Sequence, residues 1–233
     1  GHIPGAAFVD MNRDVADTSA AFNFMLPPAA QFAAAMSALG IGAQTLVVSY
    51  SSANHWWASR MWWMLRVFGH DKAAVLDGGL QKWKAEGRPL ESGEARKRAP
   101  AHFPEKSPRW EMVATRGDVL AAIGRDEICT VNALRPEQHA GGVTYGRRGH
   151  ISGSINVASV HTVDANNVYR SPAELRELFA RPLSAPKVIA YCGGGIAATT
   201  TALVLTMLGH KNVAVYDASL SEWAGDPQLP MEI

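Results

Sequence analysis

Apolar positions along this chain come in two kinds of run. Short β-branched runs occupy residues 45–50, 73–76, 128–132, 187–191 and 213–216, and they predict buried strands. Longer stretches over residues 29–39, 53–68, 116–123, 172–180 and 197–208 lie between them and repeat apolar positions at helical spacing. Gly40, Gly69 and Gly209 stand where three of these helices should stop, because glycine accepts the left-handed backbone that ends a helix. Strands and helices alternating in units of this length require parallel strands joined by crossover helices. The expected fold class is α/β, a mainly parallel sheet with helices on both faces.

The pattern occurs twice. Gly1-His2-Ile3-Pro4-Gly5-Ala6 returns as Gly149-His150-Ile151-Ser152-Gly153-Ser154, and Tyr50-Ser51 returns as Tyr191-Cys192. Phe68-Gly69-His70, Val75-Leu76-Asp77 and Leu80-Gln81-Lys82-Trp83 return as Leu208-Gly209-His210, Val215-Tyr216-Asp217 and Leu220-Ser221-Glu222-Trp223. Matches that keep their order and nearly keep their spacing describe two copies of one domain. The expected boundaries are residues 1–92 for the first domain, 93–110 for a linker and 111–233 for the second. The linker is rich in Pro, Lys, Arg and Glu without apolar periodicity, and its Arg96-Lys97-Arg98 cluster reads as solvated surface. Residues 111–148 have no counterpart in the first copy, which therefore lacks an opening helix and strand. The expectation is that the full gene product supplies them upstream of Gly1.

Composition changes the picture mainly by exclusion. With 233 residues, 47% of them hydrophobic, the chain has material for a real core. Its 22 basic and 21 acidic residues leave a net charge of +1, which gives no electrostatic reason to expect nucleic acid or an anionic membrane as a partner. Arg60 and Arg66 interrupt the richest apolar stretch, residues 56–68, so no run is long enough to span a bilayer. Cys129 and Cys192 read as free thiols, and with no secretory signal at the start the expected compartment is the cytoplasm.

Candidate chemistry concentrates in residues 188–198. A buried strand, Val188-Ile189-Ala190-Tyr191, runs through Cys192 and the glycines Gly193, Gly194 and Gly195 into a helix beginning near Ala197. That places the cysteine at the carboxyl end of a parallel strand, where open α/β sheets bind ligands. Consecutive glycines let the loop curl with its N–H groups around the sulfur, and the helix start adds a field that favours an anion. Both effects raise the thiolate fraction and prepare a nucleophile. The rival reading of these residues is a buried cysteine ahead of a glycine turn.

These motifs, with Trp62-Trp63-Met64-Leu65-Arg66-Val67-Phe68-Gly69-His70 and Val75-Leu76-Asp77-Gly78-Gly79-Leu80-Gln81-Lys82-Trp83, resemble the tandem-domain sulfurtransferases of the rhodanese and mercaptopyruvate sulfurtransferase superfamily from end to end. The resemblance implies two rhodanese-like domains, the second catalytic and the first inactive. Ser51 stands in the first copy where Cys192 stands in the second, and Ser52-Ala53-Asn54-His55-Trp56 lacks the glycine run. It further implies that Cys192 takes the outer sulfur of an anionic donor and holds it as a persulfide within the loop of Gly193, Gly194, Gly195, Ile196 and Ala197. The acceptor is then a thiophile: cyanide, a thiol or a thioredoxin-like protein. No metal or organic cofactor is implied. A serine hydrolase built on Ser51 and His55 is disfavoured, because no glycine cradle forms an oxyanion hole there. Related phosphatases carry a Cys-x5-Arg loop, and Ala198 in the arginine's place disfavours their chemistry.

Donor choice turns on few residues. Thiosulfate leads by its frequency in the family, with mercaptopyruvate the second choice. Mercaptopyruvate enzymes carry Cys-Gly-Ser/Thr-Gly-Val-Thr-Ala, whereas here Gly194 replaces the hydroxyl residue and Ala197 the threonine. Their insertion bearing a substrate arginine is shortened to Gly141-Gly142-Val143-Thr144-Tyr145-Gly146. Arg147 and Arg148 are candidates for the anionic donor, since Arg suits bidentate contacts with oxyanions, and a plain surface pair is the alternative. His2, which matches a relay histidine of mercaptopyruvate enzymes, is the third substrate-binding candidate, while His150 reads as pinning a turn. Cys129 reads as a structural thiol, Trp62 and Trp63 as core, and Asp77 and Asp217 as caps for the helices that follow them. The alternative from another class is a non-catalytic rhodanese-like sulfur carrier or protein-interaction module.

Overall fold

Every β-branched run becomes a strand in the computed structural model, which describes residues 1–95, 98–142 and 145–233. Arg96 and Lys97 of the basic cluster, and Val143 and Thr144 of the shortened insertion, lie outside the described residues. Contacts divide the chain into two units, Gly1–Arg109 with Ala165–Tyr169, and Trp110–Asp164 with Arg170–Ile233.

In the first unit, α1 (Ala29–Ala38), β1 (Val47–Ser49), α2 (Trp56–Val67), β2 (Ala73–Val75) and α3 (Gly79–Ala85) follow in order. β1 and β2 pair in parallel, Val47 beside Ala73 and Ser49 beside Val75, and α2 makes the crossover. That helix is apolar round most of its circumference, so it is buried: Trp62, Trp63, Met64, Leu65 and Val67 all lie in the core. Arg60 is buried with them, its guanidinium 4.7 Å from the centre of the Trp63 ring. Phe32 of α1 stacks on Phe68 at 4.3 Å.

The stretch read as a linker is held to this unit. Phe103 is buried edge-on to Phe32 at 5.9 Å, its N–H donates to Ser37 Oγ, and Arg109 donates twice to the Asp71 carboxylate, at 2.6 and 2.7 Å. One buried aromatic and one forked ion pair are enough to anchor a segment that has no periodicity of its own, so residues 93–109 belong to the first unit and not to a free tether.

The second unit contains β3 (Val113–Ala114), α4 (Arg116–Ala122), β4 (Ile128–Asn132), α5 (Pro136–His139), β5 (His150–Ile151), β6 (Ile155–Asn156), α6 (Pro172–Leu178), α7 (Ala180–Ser184), β7 (Lys187–Tyr191), α8 (Ala198–Met207), β8 (Val213–Tyr216), α9 (Ser219–Trp223) and β9 (Met231–Glu232). Reciprocal side-chain caps start two of its helices, Thr115 with Asp118 on α4 and Ser171 with Glu174 on α6. The predicted helix over 172–180 divides into α6 and α7, because Pro182 has no N–H to continue the turn from Leu178. Its sheet has the order β3-β8-β7-β4-β6, every neighbouring pair parallel. β5 and β9 form a separate antiparallel clip. The chain leaves β4 towards β6 on one side and β7 towards β8 on the other, so the sheet switches direction between β4 and β7. β7 is central, with Val188, Ile189, Ala190 and Tyr191 fully buried, and its carboxyl end presents Cys192 at that switch.

Neither Asp77 nor Asp217 holds the cap position of the helix that follows it. Gly78 and Ala218 hold the positions before α3 and α9, neither helix has a side-chain cap, and the Asp77 carboxylate instead accepts the Tyr169 N–H at 2.8 Å. Among the described residues no helix is long and apolar enough to cross a membrane.

Candidate active site

The loop after β7 is fastened from behind by the segment that links β8 to α9. Leu220 N–H donates to Cys192 O at 3.2 Å, and Ser221 donates to Gly193 O through both its N–H and its hydroxyl, each at 2.8 Å. Cys192 N–H and Gly195 N–H both donate to Ser219 Oγ, at 3.1 and 3.2 Å, and that hydroxyl donates onward to Tyr216 O at 2.7 Å. This corrects the expectation that the whole loop turns its amides around the sulfur, since two of them are committed to Ser219. The amides of Gly193, Gly194, Ile196 and Ala197 have no protein partner among the described residues. Directly after them comes the amino end of the ten-residue helix α8, whose cap, Ala197, has no side chain to satisfy it. Unsatisfied amides and the positive end of a helix together make a site for negative charge.

Gly195 is required here on two counts. Its φ is +73°, and a Cβ on it would overlap the Asp217 carbonyl and come within 2.8 Å of the Asp217 carboxylate. A Cβ on Gly194 would meet nothing nearer than Ser221 Oγ at 3.5 Å. Over Gly193 lies the Tyr145 ring, whose hydroxyl oxygen is 2.5 Å from where a Cβ would stand. Burial first, and then the charge of Cys192 beside it, push the Tyr145 phenol above its usual range. Cys192 itself is only 2% exposed, while Tyr145 remains open to solvent on its outer side. Cys129 is also buried, and burial pushes its thiol up, as suits a structural cysteine.

The cationic candidates fare differently. Arg147 spends its guanidinium on four backbone carbonyls: Ala224 O at 3.3 Å, Leu229 O at 2.9 Å, Trp223 O at 3.2 Å and Asp226 O at 2.5 Å. It closes the carboxyl end of α9 and the turn beyond, so its donors are not available to a substrate, and it leaves the set of candidate binding residues. Arg148 donates through Nε to Gly141 O at 2.7 Å and is otherwise exposed.

His2 and His150 occupy equivalent clamps. His150 Nε2 stands 3.7 Å from Glu232 across the β5–β9 clip, and His2 Nε2 stands 3.6 Å from Glu91 across a matching isolated bridge. Tyr191 accepts Ile151 N–H on its hydroxyl at 3.1 Å, just as Tyr50 accepts Ile3 N–H at 3.1 Å. The clamp exists with or without a cysteine in the next position, which gives both histidines structural work. His150 also faces His139 at 3.7 Å, and burial, then this neighbour, push His139 down to about 4. In the first unit, Ser51 Oγ accepts Ala53 N–H, while His55 Nδ1 meets Asn167 Oδ1 at 3.0 Å.

Ser219 and Tyr145 are the site residues that sequence reasoning passed over. Ser219 could have been found from the repeat, since its match in the first copy is Gly79. Nothing in the sequence pairs Tyr145 with the loop.

Comparison with known proteins places the chain. The family profile of the rhodanese-like domain matches residues 1–86 and 122–226. The chain is 34% identical over 232 residues to human 3-mercaptopyruvate sulfurtransferase, covering 95% of this chain and 76% of that one. It is 36% identical over 235 residues to thiosulfate sulfurtransferase of Rattus norvegicus, covering 95% and 77%. Among solved structures, SseA of Escherichia coli, described as a 3-mercaptopyruvate sulfotransferase with the rhodanese fold, superposes with a TM-score of 0.84 at 33% identity, covering 95% of this chain and 84% of that one.

Proposed function

Because the chain belongs to the rhodanese-like domain family and is a sulfurtransferase, we propose that it moves sulfane sulfur through a persulfide on Cys192, with thiosulfate as the donor. The Cys192 thiolate attacks the outer sulfur of thiosulfate, and the S–S bond of the donor breaks with its electron pair leaving on sulfite. A persulfide anion remains on Cys192. Cyanide or a thiolate then attacks its outer sulfur, leaves as thiocyanate or a new persulfide, and returns Cys192 to the thiolate. Charge balances in both halves without a proton, so no general acid is needed.

The observation that carries this reading is the set of amides at Gly193, Gly194, Ile196 and Ala197 that have no partner among the described residues, next to a cysteine at the amino end of α8. Negative charge sits on sulfur throughout the cycle, and each preorganised N–H donor in such a site contributes on the order of 3 kcal/mol to a developing anion. The duplicate favours the same assignment, since at Ser51 the glycine run is missing together with the cysteine. Thiosulfate is preferred to mercaptopyruvate because Gly194 and Ala197 supply no hydroxyl, whereas a thiosulfate half-reaction needs none. We keep Arg148 as the cationic contact for the donor.

The test is thiocyanate formation from cyanide with each donor in turn. Thiosulfate should support turnover, Cys192→Ser should abolish it, and Arg148→Ala should raise KM for thiosulfate more than it lowers kcat. Turnover with mercaptopyruvate alone would overturn the donor, and turnover by the Cys192→Ser protein would overturn the persulfide.

A further inference from the structure

Ser219 stands apart when the two copies are set side by side. It is the first residue of α9, fully buried, and its φ is +52°, a left-handed value that glycine holds without strain and serine does not. Its match in the first unit, Gly79, is the first residue of α3 with φ +51°. One backbone contact is shared, Leu80 N–H donating to Ser51 O at 3.2 Å as Leu220 N–H donates to Cys192 O at 3.2 Å, although the preceding residues differ, Gly78 at φ +76° and Ala218 at φ −71°. Glycine therefore satisfies this geometry, and the copy that carries the cysteine has a hydroxyl in its place. Strain retained at a single residue beside a reactive loop calls for a reason.

The hydroxyl is saturated. It accepts Cys192 N–H at 3.1 Å and Gly195 N–H at 3.2 Å, and it gives its proton to Tyr216 O at 2.7 Å. With both lone pairs and its proton engaged, it has nothing left with which to relay a proton. What it does is tie both ends of the turn 192–195 to the end of β8.

We infer that Ser219 is the positioning residue of the sulfur-transfer loop: by drawing the amides of Cys192 and Gly195 onto its oxygen, it fixes the turn in which the intervening amides of Gly193 and Gly194 remain for the sulfur anion. The inference rests on the persulfide reading of Cys192. Ser219 touches neither donor nor acceptor and acts through the loop alone.

The test compares Ser219→Gly with Ser219→Ala. Both remove the hydroxyl, but glycine relieves the strained φ and alanine keeps it, so the glycine protein should be the more stable of the two. Both should lose kcat by about tenfold or more, with KM for thiosulfate within about twofold, because misplaced donors are felt in the reaction more than in ground-state binding. A folded Ser219→Gly protein with the kcat of the parent would overturn the inference. Amide exchange on the unaltered protein reads the same point without a variant. Cys192 and Gly195 amides should be protected and those of Gly193 and Gly194 should exchange faster, becoming protected once thiosulfate has loaded the cysteine. Equal protection at all four before loading would overturn it. If Cys192→Ser is inactive while Ser219→Gly matches the parent, only this inference falls; if Cys192→Ser stays active, the persulfide reading falls.

Discussion

Replacing Gly195 with alanine separates two physical demands that meet at one residue. The first is backbone: an alanine held at φ +73° costs about 1 kcal/mol relative to glycine. The second is space, since the new methyl would overlap the Asp217 carbonyl, a backbone atom fixed between β8 and α9, and overpacking of that kind costs about 1–3 kcal/mol. Together they predict a loss of roughly 2–4 kcal/mol. Two controls divide the total. Gly153 has φ +72° with nothing within 4 Å of an added Cβ, so Gly153→Ala should show the backbone cost alone, about 1 kcal/mol. Gly194 has room, its nearest neighbour being Ser221 Oγ at 3.5 Å, so Gly194→Ala should change stability by no more than about 0.5 kcal/mol. Urea unfolding followed by tryptophan fluorescence, with the slope compared among the three proteins, gives the differences directly. A Gly195→Ala protein no less stable than Gly153→Ala would refute the close approach of Asp217 to the loop.

Three further outcomes follow from other parts of the structure. Tyr191→Phe strips the acceptor from Ile151 N–H and one of the two partners from Ser154 Oγ, which keeps Ile151 O, in a buried place, and should cost about 1–3 kcal/mol in denaturant unfolding, an unchanged midpoint counting against the clamp. His139 is held down to about 4, below its unfolded value near 6.5, so the unfolded chain binds the extra proton; stability is full above pH 6.5 and should fall as pH drops towards 4. His139→Gln should flatten the slope of unfolding midpoint against pH across that window, and identical slopes would sink the assignment. Cys129→Ala should leave sulfur loading intact, and iodoacetamide near neutral pH should label Cys192 ahead of Cys129, whose thiol burial pushes up; preferential labelling of Cys129 would contradict this.

The sheet was legible because its strands are buried on both faces and read as unbroken β-branched runs, as in residues 187–191. Two-residue strands such as β3 and β6, and the five-residue helix α9, are too short for periodicity to register. The role of residues 93–109 escaped notice because it rests on single long-range contacts, Phe103 on Phe32 and Arg109 on Asp71, that leave no local pattern. At the site, the cysteine and its glycines announce themselves locally. Arg147 was misread for the opposite reason: its type fits an oxyanion, but its carbonyl partners between Trp223 and Leu229 lie far along the chain. Ser219 needed the two copies compared position by position, since a serine beside a glycine match is unremarkable until its φ is known.

Intact-mass measurement of the full chain after exposure to thiosulfate bears on the central claim most directly. The protein should gain the mass of one sulfur atom, peptide mapping should place it on Cys192, and cyanide should remove it. No gain, or a gain that survives Cys192→Ser, would contradict the account.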